Sequence, residues 1–305
     1  MAKIYDQVYF DDKIIPLSEA NLSVASSAVL YGLSVYTVFP LAPIEKKLAV
    51  FRLNDHYNRL VDSARIIGID TFETKWNLDQ FKKAVETLAT TNKIKERAFV
   101  RATIHVTDLV PGVRSRGLET KLSMFIYEAK AIVPQDGARL KTSVWRRIPD
   151  YAIPSRAKVN GAYVNSVLGK QDAIDSGYDD CLFLDSFGHV CELSAANIFI
   201  IRDGVLITPE RSNDILEGIN RKTILELAKE MNISIVERTI DLTELYIADE
   251  VFACGTSAFV APIIEIDARK IKNCPGPITK KLREKINTVF NEKGVLSEKY
   301  LTFLS

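Results

Sequence analysis

The sequence predicts an α+β chain in two domains, a small N-terminal one over residues 1–129 and a larger, β-rich C-terminal one over 138–305. Three observations carry this reading. The first half mixes apolar residues at helical spacing with runs that read as strands. Beyond it, short apolar runs recur in pairs around tight-turn residues, the pattern of a strand-rich architecture. Between the two lies the segment 130–137, where Pro134, Asp136 and Gly137 crowd together as in a linker. At 305 residues the chain has room for one large domain or two of ordinary size, and either buries a sizeable core.

The elements follow in order. Residues 7–15 form a hairpin around Asp11 and Asp12. Leu53, Tyr57, Leu60, Val61, Ala64 and Ile67 recur at helical spacing, with Asn54 or Asp55 as N-cap. Leu78, Phe81, Val85 and Leu88 predict a second helix over 78–91. Strands at 98–106 and 121–127 enclose a loop at 108–117. In the second half a helix ends near Asp175, and strands at 181–184 and 189–193 flank the turn Ser186-Phe187-Gly188. Strands at 197–201 and 205–207 flank Asp203-Gly204. A helix at 220–231, strands at 233–236 and 250–254 and a last amphipathic helix at 278–290 complete the pattern.

Composition excludes several classes of function. Lys plus Arg number 40 and Asp plus Glu 39, a formal net charge of +1. A nucleic-acid partner calls for a basic excess or stripe, so none is expected. Any anion must instead be held by a few placed groups. The cysteines, Cys181, Cys191, Cys254 and Cys274, form no CxxC pair, and reduced thiols packed in strands are the expectation, although Cys181 and Cys191 are candidates to face each other across a hairpin. His56, His105 and His189 stand in no ligand pattern, so no metal site is expected. Residues 1–17 carry charges throughout without an apolar signal core, which points to a cytoplasmic protein. Residues 20–44 hold no charge, yet four serines, Gly32, Pro40 and Pro43 argue against a membrane helix and for buried strand and loop.

No G-x-G-x-x-G, G-x-x-x-x-G-K-[ST], H-E-x-x-H or G-x-S-x-G motif is present, which disfavours dehydrogenases, P-loop NTPases, zincins and α/β-hydrolases. Single residues in informative contexts remain. Lys158 sits beside apolar Ala157, Val159 and Ala162, either as a desolvated amine suited to covalent catalysis or as a solvated helix-start lysine. Glu192 interrupts an apolar strand and either faces outward or is buried against a cationic partner. Residues 216–221 lead a glycine turn into a helix start, whose free N–H groups suit an anion. The strand ending Cys254-Gly255-Thr256-Ser257 offers a second cradle of small hydroxyl residues. Arg59 lies at the edge of the apolar face of the first helix, a usual place for a snorkelling arginine.

Together these residues resemble the class IV, or D-amino-acid-transaminase-like, fold of pyridoxal-phosphate enzymes (fold type IV), and most of all the branched-chain aminotransferases. The similarity spans residues 8–262, with the motifs in the same order. Its most specific part is 157–197, where the lysine motif is followed by Gly177-Tyr178 and by Glu192-Leu193-Ser194-Ala195-Ala196-Asn197-Ile198-Phe199. The resemblance implies roles. Lys158 is similar to the Schiff-base lysine, Tyr163 to the tyrosine on the cofactor's ring oxygen, and Glu192 to the residue that holds the pyridinium proton. Arg59 resembles the phosphate-gripping arginine. Ile219 and Asn220 would add helix-start N–H groups and Thr256 a hydroxyl to the same phosphate, and Leu216 would pack against the ring.

The uncharged run also finds a place in the resemblance. Residues 28–38 resemble the substrate-pocket strand, with Tyr31, Tyr36 and Val38 lining the side-chain cavity. Phe99-Val100-Arg101 resembles the Y-x-R motif that recognises a substrate carboxylate, Arg101 being the carboxylate-binding residue, and Ser257 and Ala258 join the substrate set. Departures fall in the pocket. Tyr36-Thr37-Val38-Phe39-Pro40 stands for F-E-G-x-R, Phe99 lacks the usual hydroxyl, and Asn220 replaces the threonine of G-I-T-R. The resemblance thus implies a ping-pong aminotransferase that carries pyridoxal 5'-phosphate and moves the amino group of leucine, isoleucine or valine to 2-oxoglutarate. It also implies a homodimer. D-amino-acid or (R)-amine transamination and a lyase-type β-elimination use the same scaffold and stay open, as does cofactor binding without catalysis.

Overall fold

The computed structural model describes residues 3–45, 47–128, 133–257, 259–291 and 294–304. The chain forms two compact units, one of residues 1–130, 157–161 and 289–305, the other of 131–156 and 162–288. Of the expected linker, 130–132 lie outside the described residues, while Val133 is already buried among the side chains of the second unit.

The first unit is built on an antiparallel sheet. Its strands run in the order Leu301–Phe303, Lys47–Phe51, Ser34–Ile44, Ala98–Val106, Thr120–Glu128, Gln7–Phe10 and Lys13–Pro16. The opening hairpin forms as expected, and Asp11 and Asp12 both take positive φ, as a two-residue turn matched to strand twist requires. One face of the central strands carries Val35, Thr37 and Phe39, then Val100, Ala102 and Ile104, then Leu122, Met124 and Ile126, all buried. The helices Leu53–Ile66 and Leu78–Thr91 cover it, with Phe39 meeting His56 and Phe81 at ring distances of 5.4 and 6.2 Å. Full burial of each Val, Leu, Ile, Phe or Met side chain stabilises by about 1.5–3 kcal/mol.

Asn77 caps the second helix and forms a capping box with Gln80. The first helix starts otherwise than expected. Its N-cap is Arg52 at φ 47°, without a side-chain cap, and Asp55 lies inside the first turn. Arg52 holds this left-handed position by donating its N–H to the Tyr300 carbonyl and its Nε to Asp55, each at 2.7 Å. The pocket strand also starts later than the resemblance implies: Ser27–Leu30 is a helical turn and the strand begins at Ser34.

In the second unit six strands close a ring in the order Val190–Leu193, Asp180–Leu184, Ala138–Thr142, Ala261–Ile266, Glu250–Cys254 and Asn197–Arg202, which returns to the first through the pair Glu192 and Asn197. Val205–Thr208 and Ile235–Glu237 extend it. Closure removes the open edges that these six strands would otherwise present, and Ile235–Glu237 forms the edge of the extension. The interior is filled by Leu140, Leu182, Ile198, Ile200, Val251, Ala253 and Ile263. The helix Tyr163–Asp175 packs on Asp180–Leu184 at Gly169, where an added Cβ would lie 2.5 Å from Phe183 and 2.9 Å from Cys181. All four cysteines are free.

Candidate active site

Topology explains why Lys158 belongs to the first unit. Lys47–Phe51 pairs only with positions 41–44 of its neighbour and leaves the edge of 34–40 open. Residues 157–161 take that edge: Val159 bridges Val35, Tyr36 N–H donates to the Lys158 carbonyl at 3.0 Å, and Asn160 N–H donates to the Ser34 carbonyl at 2.9 Å. Gly32 and Gly161 pass so closely that a Cβ on Gly32 would lie 2.9 Å from Gly161 Cα. The Lys158 N–H donates to Ser63 Oγ at 3.0 Å, and Ser63 in turn donates to the Arg59 carbonyl at 2.7 Å. The half-buried lysine is therefore fixed through its backbone on two sides.

The sheet face opposite the helices carries Ser34, Tyr36 and Val38, with Thr103, Arg101 and Phe99 on the adjoining strand; Tyr36 stands opposite Thr103, Val38 opposite Arg101 and Pro40 opposite Phe99. Antiparallel partners share a face, so the expected pocket residues Tyr36, Val38, Phe99 and Arg101 are brought together. Tyr36 and Phe99 are each only 6% exposed. The Arg101 guanidinium carbon lies 3.6 Å from the centre of the Tyr36 ring and Lys158 Nζ lies 4.8 Å from it. Farther along, His105 bonds Ser123 Oγ at 2.8 Å, and burial with Arg101 nearby lowers its pKa to about 4. Tyr31 is not on this strand; it follows the turn Ser27–Leu30 and is exposed.

Arg59 lies on the other face. Its Nη2 donates to Thr37 Oγ1 at 3.3 Å, and Thr37 Oγ1 meets His56 Nδ1 at 2.8 Å. His56 is fully buried, and burial together with the charges of Arg59, Lys158 and Arg52 holds its pKa well below the ordinary range. It is therefore a neutral partner, able to accept the Thr37 hydroxyl proton at Nδ1.

The second unit builds a carboxylate site and an anion cup. Glu192 is 5% exposed, so of the two orientations left open by its sequence it takes the inward one. It pairs with Arg147 at 2.9 Å and accepts from Asn197 Nδ2 at 3.0 Å and from the Leu216 N–H at 3.3 Å. Asn197 also donates to the Leu216 carbonyl at 3.0 Å, and its Oδ1 sits where a Cβ on Gly218 would be, so residue 218 has to be glycine. Gly218 is the N-cap of Ile219–Glu230, and no side chain caps that start. Asn220 Nδ2 donates to the Gly255 carbonyl at 2.7 Å, which ties the helix start to the turn bearing Thr256 and Ser257. The backbone N–H of Asn220 lies in the uncapped first turn of that helix. Tyr163 opens the helix Tyr163–Asp175 and is half-buried. Ala258 lies outside the described residues.

Pyridoxal phosphate fits these residues by donor chemistry. In the second unit a buried carboxylate suits a protonated ring nitrogen and an uncapped helix start suits a phosphate; in the first a planar arginine suits a phosphate and a half-buried lysine an aldehyde. Sequence reasoning did not single out Arg147 beside Glu192, Thr37 and His56 behind Arg59, Ser63 on the Lys158 backbone or Asn160 on Arg101. Only Asn160, two residues from Lys158, carried a signal: alternation along an extended segment sends both side chains to one side. Among the described residues no group of three or more His, Cys, Asp or Glu side chains is placed to hold a metal ion, and no helix is long and apolar enough to cross a membrane.

The family model for amino-transferase class IV matches residues 36–266. The branched-chain-amino-acid aminotransferase of Pseudomonas aeruginosa is 36% identical over 282 residues, 91% of this chain and 90% of that one. The branched-chain aminotransferase of the thermophilic archaeon Thermoproteus uzoniensis, solved with norvaline, superposes with a TM-score of 0.93 at 34% identity and covers 98% of this chain and 99% of that one. The branched-chain amino acid aminotransferase of Thermobaculum terrenum, solved in its PLP-bound holo-form, gives a TM-score of 0.91 at 29% identity, covering 99% of each chain. The α+β fold expected from the sequence is the fold of these enzymes.

Proposed function

The chain belongs to the amino-transferase class IV family, and on that premise we propose that it carries pyridoxal 5'-phosphate and moves the amino group of leucine, isoleucine or valine to 2-oxoglutarate. The observation that carries this reading is the arrangement of Lys158 and Arg101 over the single ring of Tyr36, on a face that also presents Val38 and Phe99. An amine for covalent attachment, a cation for the second carboxylate of a dicarboxylic acceptor and apolar walls for an aliphatic side chain share one surface. The relatives named as branched-chain aminotransferases, and the neighbours solved with norvaline and in the PLP-bound holo-form, support the same substrate class and cofactor.

The bound cofactor supplies an electron sink for the pair left on a substrate's α-carbon. Lys158 Nζ holds the cofactor between turnovers and, once displaced by an amino substrate, carries the proton from the α-carbon. Its anchored backbone, through Tyr36 and Ser63, limits where that nitrogen can travel. Glu192, ion-paired with Arg147, holds the proton on the ring nitrogen. Arg59, Thr256 and the N–H groups of Ile219 and Asn220 bind the phosphate, Tyr163 meets the ring oxygen, and Leu216 packs on the ring. Tyr36, Val38, Phe99, Ser257 and Ala258 line the substrate side and Arg101 binds a substrate carboxylate. The chain acts in the cytoplasm as a homodimer, in which exposed Tyr31 meets the second copy.

Two measurements test this. Protein purified with cofactor is expected to show its visible absorption band, and Lys158→Ala to lose both band and turnover. An unchanged spectrum in that variant would sink the assignment of the lysine. A donor panel covering both enantiomers is expected to favour L-leucine, L-isoleucine and L-valine. Strong turnover of D-alanine or (R)-1-phenylethylamine with none of L-leucine would replace the substrate assignment by the D-amino-acid or (R)-amine reading.

A further inference from the structure

The face that carries Arg101 contains a second polar link, unrelated to the cofactor. Arg101 Nη2 donates to Asn160 Oδ1 at 2.5 Å, and Asn160 Nδ2 donates to Ser34 Oγ at 2.7 Å. The backbone N–H of Asn160 is held by the Ser34 carbonyl at 2.9 Å, so the amide plane is fixed at both ends. Ser34 is 4% exposed, and its strand position, opposite His105, is set by the sheet register. A guanidinium has five N–H donors in a rigid plane, and its value for binding a carboxylate depends on which edge it presents. Stacking on Tyr36 at 3.6 Å fixes the plane but permits rotation within it. The bond to Asn160 removes that rotation.

We propose that Asn160 is the positioning residue that makes this enzyme selective for a dicarboxylic amino acceptor, by turning Arg101 so that its remaining edge receives the second carboxylate. The proposal rests on the assignment of Arg101 as a carboxylate-binding residue. Its physical content is a coupling of two groups. Lys158 and Asn160 lie two positions apart on one extended segment zipped to the strand of Ser34 and Tyr36, so the attachment point of the reacting amine and the acceptor that turns the guanidinium share a single rigid piece of backbone. A short 2-oxo diacid meets both at once, whereas an apolar 2-oxo acid has no use for Arg101 in that pose. Without Asn160 the guanidinium keeps its charge and its aromatic shelf but loses its bearing. A hydrogen bond to a charged group contributes about 1.5–3 kcal/mol, which corresponds to roughly 10- to 150-fold in affinity.

The test compares Asn160→Ala and Asn160→Asp with the wild type, each loaded with cofactor, using 2-oxoglutarate and 4-methyl-2-oxopentanoate as acceptors. Calorimetric titration with glutarate and 4-methylpentanoate, which do not react, gives a readout independent of turnover. Asn160→Ala is expected to raise KM for 2-oxoglutarate and Kd for glutarate at least ~10-fold, with both values for the apolar acids and the kcat within about 2-fold of the wild type. Asn160→Asp keeps an acceptor for Arg101 but places a carboxylate where it competes, so it too is expected to lose the diacid preference while melting like the wild type. Equal losses for diacid and apolar acid, or an intact diacid preference in both variants, would overturn the role of Asn160. A wild type that shows no diacid preference would overturn the acceptor assignment and this role with it.

Discussion

At the scale of single residues, the arginine assigned to the phosphate is aimed by groups that no motif marks. Thr37 stands where the branched-chain pattern has a glutamate, and its hydroxyl joins Arg59 to a buried neutral His56. An anionic residue there would pair with Arg59 and weaken its hold on a phosphate; a hydroxyl orients it without cancelling its charge. Thr37→Val keeps the shape and removes one acceptor from Arg59, so cofactor Kd is expected to rise by ~5- to 150-fold, the range for losing about 1–3 kcal/mol at a half-buried charged donor. A spectral titration of the apoenzyme measures this, and an unchanged Kd would mean that Arg59 is aimed by its other contacts. Lys158 and Glu192 were legible in the sequence because each broke a local pattern, a charge among small apolar residues or in an apolar strand. Thr37 and His56 broke none, since both read as ordinary members of a strand and a helix.

At the scale of elements, most of the strands and helices were legible wherever the chain makes its own local pairings. The hairpin at Asp11 and Asp12, the helix Leu78–Thr91 with its capping box and the turn at Asp203 and Gly204 all form where turn chemistry and period indicated. The misses share one cause. The cap at Arg52 depends on the Tyr300 carbonyl, and the edge position of residues 157–161 depends on a strand more than a hundred residues earlier. Such long-range partners leave no local period. Gly169 shows the same limit. In an isolated helix Gly→Ala stabilises by about 1 kcal/mol. Here the new Cβ would meet Phe183 at 2.5 Å and Cys181 at 2.9 Å, and overpacking of this kind costs about 1–3 kcal/mol. The steric effect is expected to win, so Gly169→Ala should lower the melting temperature. A rise would mean that the helix can lift from its strand without penalty.

At the scale of the whole molecule, the charge balance of +1 puts little net repulsion between copies of the chain, and exposed apolar surface is available for association. Each unit exposes such surface in a local cluster. In the first, the segments around Ser26 and Leu109 are bridged side by side and present Val24, Leu30, Tyr31, Val110 and Val113 to solvent. In the second, the helix Tyr163–Asp175 exposes Val164, Val167 and Leu168, spaced three and four residues apart on one helical face. Contiguous exposed patches of this kind mark interfaces, and a second copy of the same chain is the occupant that the proposed homodimer supplies. Val167 is 63% exposed in the single chain, so Val167→Asp places a charge in water and should leave the monomer's melting temperature nearly unchanged. In a two-fold interface the same substitution appears twice and desolvates two like charges. The wild type is therefore expected to scatter light with twice the monomer mass and the variant with the monomer mass at micromolar concentration. If Val167→Asp remains dimeric, the helix Tyr163–Asp175 lies outside the interface and the contact has to be sought at the segments around Ser26 and Leu109; if the wild type itself is monomeric, the homodimer proposal fails and with it the place of Tyr31 at a second copy.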